Sequence, residues 1–234
     1  MFWNKKPTKL TAYCNFTAYV NHCPPTYEKY EIPSYFKSFT NALVLDEKSK
    51  INIPAPDIRT CPGIKDFLTS GIQLKAWEDF IIKVWPDGNF TYIFPYPSKQ
   101  SISAHGPSQY GDLYPKNRIN AKLNSPWSFK SDKPLKCLMM ESHYSTSMFR
   151  DKNIWVPPGV IDFSKQVSTN IHLMLELRDE PYEISFKMGD PLVTLFPLTE
   201  SKIDFSVEHA TEEELGKLRD MPYTFKSRYY RRKD

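Results

Sequence analysis

The sequence predicts a mainly β protein with short peripheral helices, and three observations carry that prediction. Its 234 residues hold 20 prolines against 8 glycines, and 15% of them are aromatic. Proline fixes φ and cannot donate to a ladder, so prolines scattered through the chain imply short strands joined by ordered loops. The aromatic content supplies apolar area that a disordered chain lacks. Next, Ile171, Leu173, Leu175 and Leu177 alternate with Asn170, His172, Met174 and Glu176, which puts one face of a strand in a core. Finally, Asp87-Gly88 sits between two apolar runs, where it supplies the positive φ that a hairpin turn demands.

Taken in order, residues 1–32 are polar and aromatic and are broken by Pro24-Pro25. Pro33 to Phe39 has helical spacing at Tyr35, Phe36 and Phe39 and predicts one amphipathic turn. Residues 40–59 are a connection containing Pro54 and Pro56. Thr60 is positioned to cap a helix running through Leu68, with Pro62 in the first turn, Gly71 near the end and Ile64, Phe67 and Leu68 as its apolar face. Strands Phe80 to Trp85 and Phe90 to Phe94 flank the hairpin turn, with Phe80, Ile82 and Val84 on one face.

Residues 95–116 form an ordered loop, and short strands follow at Arg118–Leu123, Trp127–Lys130 and Leu135–Met140. Tyr182–Phe186 and Leu192–Phe196 are expected to pair with the Ile171–Leu177 strand around the Met188-Gly189-Asp190 corner. A last strand lies near Ile203–Val207, and Thr211 with Glu214 forms a capping box for a helix to about Arg219. No repeat of solenoid or propeller length is visible. The expected organisation is an N-terminal extension over 1–40 packed on the body, a β-rich domain over 41–208, and a C-terminal helix and basic tail over 209–234.

No apolar run approaches the roughly 18 residues that a membrane helix needs. The first residues, Met1 to Pro7, carry no apolar stretch of the kind a secretory signal contains. Cys14, Cys23, Cys61 and Cys137 are widely spaced, so reduced thiols in a cytoplasm are expected rather than disulfides. Cys14, His22 and Cys23 fit no zinc-finger spacing, and no cofactor is expected. The net charge of +4 comes from Lys226, Arg228, Arg231, Arg232 and Lys233; without the last nine residues, basic and acidic side chains balance. Contact with nucleic acid is therefore expected through that tail alone, where Tyr229 and Tyr230 add stacking surfaces. The plainer reading is a solvated terminus.

Several short motifs occur in a fixed order: Ile32-Pro33-Ser34-Tyr35-Phe36-Lys37, Cys61-Pro62, His105 with Gln109, Ser125-Pro126-Trp127, Pro158-Gly159-Val160-Ile161-Asp162, and Gly189-Asp190-Pro191-Leu192-Val193. In that order they resemble a family of proteins from tailed phages of marine bacteria and cyanobacteria that has no established activity. The resemblance implies a phage origin and a place in the infected cell's cytoplasm or in the virion. The Gly159–Asp162 and Gly189–Thr194 segments also resemble late strands of the dUTPase/dCTP deaminase β fold. That second resemblance implies a dUTPase-like (β-clip) sandwich or distorted barrel, and a homo-oligomer by analogy.

In dUTPases the Asp of the Gly-(Val/Ile)-Asp turn activates the attacking water, so the resemblance makes Asp162 the candidate catalytic base. The surrounding residues depart from the pattern. Phe163-Ser164-Lys165 replaces the Asp-Tyr-Arg-Gly continuation, no Pro-Arg-Ser-Gly phosphate motif precedes it, and no glycine-rich arm ends the chain. The plainer role for Asp162 is to fix a turn through its side chain.

His105 and Gln109 lie in a loop, and Glu141 precedes His143 by two residues, so these four are candidate ligand-binding residues. A His-x-Asp/Glu iron signature is absent, as are phosphate loops and Ser or Cys nucleophile motifs. The expected function is a non-catalytic phage accessory or structural protein that binds a protein partner or itself. The alternative is a small-ligand or nucleotide-binding protein or enzyme with a pocket near His105, His143 and Asp162.

Overall fold

This computed structural model describes residues 6–27, 43–54, 61–93, 103–105, 117–142 and 153–219. Along the chain come β1 (Thr8–Cys14), α1 (Thr17–His22), β2 (Thr26–Tyr27), β3 (Leu43–Leu45), β4 (Asn52–Pro54) and α2 (Pro62–Thr69). Next are β5 (Ile72–Lys75), β6 (Phe80–Val84), β7 (Phe90–Ile93), β8 (Ser103–His105), β9 (Arg118–Ser131) and β10 (Lys136–Glu141). The last are β11 (Gly159–Asp162), β12 (Ser168–Glu176), β13 (Tyr182–Phe186), β14 (Pro191–Pro197), β15 (Ile203–His209) and α3 (Glu212–Arg219). The protein is mainly β, as expected. Among the described residues the strands form a first sheet in the order β12-β9-β1-β15 with β8 also on β9, a second in the order β11-β10-β14-β5-β2, a third in the order β13-β6-β7, and the β3–β4 pair.

One apolar core joins the three larger sheets. Leu10, Leu123, Phe129 and Ile171 reach it from the first sheet, Leu74, Cys137 and Leu195 from the second, and Phe80, Ile82 and Phe186 from the third. Phe129 of the first sheet stacks on Phe163, which follows β11, at 5.0 Å, and Phe80 stacks on Phe186 at 4.5 Å within the third sheet. Such pairs add to the area they bury.

The expected hairpin forms as read. Gly88 takes φ +85, its amide donates to the Trp85 carbonyl at 3.0 Å, and Phe80, Ile82 and Val84 are all buried. The capping box forms as well: the Glu214 amide donates to the Thr211 hydroxyl at 3.2 Å, and the Glu214 carboxylate accepts from the Thr211 amide at 2.7 Å. The Cys-Pro helix spans Pro62–Thr69, and its N-cap is Cys61 rather than Thr60. Pro62 at the first helical position holds the preceding residue extended, and Cys61 has φ −82 and ψ 109. The helical turn expected at Pro33 to Phe39 lies outside the described residues.

Other expectations are corrected. The 40–59 connection contains the β3–β4 hairpin, in which the Asp46 carboxylate accepts from the Ser49 amide at 3.1 Å. Thr8–Cys14, in the stretch expected as an extension, is an inner strand, parallel to β15 on one side and antiparallel to β9 on the other. Arg118–Leu123 and Trp127–Lys130 are one strand. Pro126 sits where β9 carries extra residues against β12, between the Asn124↔Asn170 and Ser128↔Ser168 pairs. A bulge accommodates a residue with no N–H, and the Ser125 hydroxyl accepts from the Trp127 amide at 3.2 Å.

Neither Tyr182–Phe186 nor Leu192–Phe196 pairs with β12. β13 pairs with β6, where Ile184 meets Ile82 and Phe186 meets Phe80, while β14 runs between β10 and β5. Leu192 to Leu195 are buried without alternation, as befits a strand covered on both faces. β12 takes β9 as its long partner instead. The corner between β13 and β14 does turn at Gly189, with φ +93. Asp79 clamps it, accepting from the Met188 amide and the Lys187 ammonium at 2.9 Å each.

Candidate functional site

Asp162 closes β11, and its side chain is occupied by the turn that follows. One carboxylate oxygen accepts from the Ser164 amide at 3.1 Å and from the Ser164 hydroxyl at 2.5 Å. The other faces the Lys165 ammonium at 3.4 Å. The Asp162 carbonyl accepts from the Lys165 and Gln166 amides at 2.9 Å each. Partial burial pushes this carboxyl upward, but the Ser164 donors and the Lys165 charge outweigh it and hold the carboxyl below its ordinary value. A lowered value makes this carboxylate a weaker base.

Glu141 lies at the far end of β10. β11 meets that strand at Lys136↔Asp162, and β14 meets it at Glu141↔Val193. Five residues of antiparallel strand separate the two positions by about 17 Å. The structure therefore does not bring Asp162 and Glu141 together. His105 ends β8, opposite Asn120 in the first sheet. Gln109, His143, Lys226, Arg228, Arg231 and Arg232 lie outside the described residues. The nearby Ser142 and Thr194 hydroxyls are both buried and bond each other at 2.9 Å.

What the structure does assemble is a cluster that sequence reading missed. Tyr19 on α1, Glu78 between β5 and β6, Tyr92 on β7 and Cys14 at the end of β1 meet at one edge of the core. Glu78 is buried close to the Tyr19 phenol. Burial raises the Tyr19 phenol, and the Glu78 charge raises it further; the same two causes raise Tyr92. Burial also lifts the Cys14 thiol to about 11, although the Phe16 amide, donating to Sγ at 3.4 Å, opposes it. The phenols and the thiol stay protonated at neutral pH. Tyr19 and Val20 pack α1 against the core. No local signal in the sequence announces the cluster, because its members come from four separate elements.

Burial raises the Cys23 thiol, which donates to the Ala76 carbonyl at 3.0 Å, and it lifts Cys137 to about 12. Among the described residues no group of three or more His, Cys, Asp and Glu side chains is arranged to hold a metal ion. Among them also, no helix is long and apolar enough to cross a membrane.

No protein-family model and no curated protein matches the chain. Among solved structures, it is similar to a mutant of the dUTPase from phage 80alpha. The two are 9% identical at a TM-score of 0.30, over 68% of this chain and 90% of that one.

Proposed function

We propose that this protein is a non-catalytic phage structural or interaction protein, built on a β scaffold of dUTPase type from which the hydrolytic machinery is missing. The engagement of Asp162 supports this reading most directly. The one residue that the dUTPase resemblance makes a base has both carboxylate oxygens committed to its own turn and is held in its weakly basic form. The motif order from Ile32 to Val193 supports the phage assignment. The absence of the Asp-Tyr-Arg-Gly and Pro-Arg-Ser-Gly signatures supports the loss of activity.

The test is direct. Purified protein incubated with deoxyuridine or deoxycytidine triphosphate should release no pyrophosphate above a blank, and the Asp162→Asn variant should match it. Turnover by the wild type that vanishes in the variant would overturn the reading. Mass spectrometry of purified virions then separates a particle component from a protein that acts in the infected cell.

A further inference from the structure

β11 ends the second sheet, and among the described residues no strand pairs with its other edge. Natural edges are usually blunted by lysine, proline or inward charge. This edge is four residues long and follows Pro157-Pro158, but its middle presents Val160, a β-branched residue that is 59% exposed. Register places Val160 beside Leu138, and Leu138 beside Phe196, on the same face of the sheet. Phe67 of α2 packs on Phe196 at 4.5 Å. An apolar row therefore runs Phe67, Phe196, Leu138, Val160 and stops at the open edge.

The backbone at that edge has a particular pattern. The Phe163 amide donates to the Leu135 carbonyl at 2.8 Å, while the Leu198 amide donates to the Lys136 carbonyl at 2.8 Å on the other side of β10. Bonded pairs alternate along an antiparallel ladder. Gly159 and Ile161 therefore exchange bonds with β10, and Val160 and Asp162 turn their N–H and C=O groups outward. The Asp162 carbonyl is already satisfied by Lys165 and Gln166. Pro158, two residues before Val160, has no N–H to offer.

We propose that this protein self-associates as a two-fold dimer in which β11 pairs antiparallel with β11 of a second copy, centred on Val160. In that register Val160 exchanges both backbone bonds with its own counterpart, and the Asp162 amide donates to the Pro158 carbonyl across the axis. The two groups that could have been stranded match: Pro158 lacks a donor where Asp162 lacks a free acceptor. The apolar row then continues through the axis into its copy, and each Asp162 charge stays beside its own Lys165 rather than the other Asp162. The interface is isologous and closed, so it yields dimers and not fibres. This inference deepens the reading as an interaction protein but fails separately from it. A monomer without hydrolase activity removes the dimer and leaves that reading standing, whereas a dimer that hydrolyses triphosphates does the reverse.

Sedimentation velocity of the full chain over a hundredfold concentration range should show a species of twice 27.4 kDa replacing the monomer as concentration rises. Val160→Pro removes the outward N–H without taking a bond from β10, although it also fixes φ there, and Val160→Lys places like charges across the axis; both should stay monomeric, with circular dichroism unchanged. In a Cys61→Ser background, Val160→Cys should give a covalent dimer on mild oxidation. The paired Cα atoms would lie about 5.5 Å apart, within the range a disulfide spans. A wild type that is monomeric throughout, a trimer, dimers undiminished in both Val160→Pro and Val160→Lys, or no cross-link from Val160→Cys would each overturn the proposal.

Discussion

Asp162 shows how one side chain's partners decide its chemistry. Its carboxylate is stabilised in the charged form by the Ser164 amide and hydroxyl and by Lys165. Because its folded-state value is depressed, the stability it contributes is present above the unfolded carboxyl value of about 4 and is lost as pH falls through the lower folded value. Asp162→Asn should therefore cost on the order of 1 kcal/mol at neutral pH. The gap in melting temperature between wild type and variant should stay constant from neutrality down to about pH 5 and close below about pH 4. A gap that persists in acid would mean that the charge is not what holds the turn. This turn was legible in the sequence because aspartate, serine and lysine lie within three residues of one another. The approach of Tyr19 to Glu78 was not, since nothing near either residue signals the other.

At the scale of elements, the same division follows sequence distance. The Asp87-Gly88 hairpin and the Thr211–Glu214 capping box were readable because each is closed by bonds within a few residues. The partners of β13 and β14 were not, because alternation gives a strand's buried face and says nothing of which strand lies beside it. Two glycines separate backbone strain from crowding. Gly88 and Gly189 both hold positive φ, at +85 and +93. A Cβ at Gly88 would meet Ile119 Cγ2 at 3.4 Å, while one at Gly189 meets nothing within 4 Å. Gly88→Ala and Gly189→Ala should each cost about 1–2 kcal/mol from the left-handed backbone. The new methyl at Gly88 would sit at ordinary van der Waals distance from Ile119, so the two variants should lose about the same stability. Urea denaturation of the two compares them, and a clearly larger loss at Gly88 would mean that Ile119 does not accommodate the methyl group.

For the whole molecule, the decisive contact joins the two ends of the described chain. β1 lies parallel to β15 over the full length of both strands, from Thr8↔Ile203 to Cys14↔His209, and is antiparallel to β9 through Leu10 to Tyr13. Leu10, Ala12 and Cys14 are completely buried. The Thr11 hydroxyl bonds the Ser206 hydroxyl across the parallel pair at 3.0 Å. Reading 1–40 as an extension missed this because Thr8–Cys14 mixes threonine, lysine and tyrosine with small apolar residues. Only its place between two strands makes it core. Parallel pairing at this separation is expected to form late, since the chain must close a long loop before the contacts repay that loss. Removing β1 should then do more than shorten the protein. A chain beginning at Asn15 leaves β15 without a sheet and the Lys130 end of β9 without its neighbour, and it opens the core at Leu10. Domains are stable by only about 5–15 kcal/mol, so losing an inner strand and its buried residues is expected to unfold the body. The shortened chain should show no cooperative thermal transition and should bind a hydrophobic dye, whereas Thr11→Ala, which removes one hydroxyl bond, should lower stability by only about 1 kcal/mol. A cooperative transition in the chain lacking β1 would mean that the strand is an accessory after all, and that the second and third sheets suffice to fold the body.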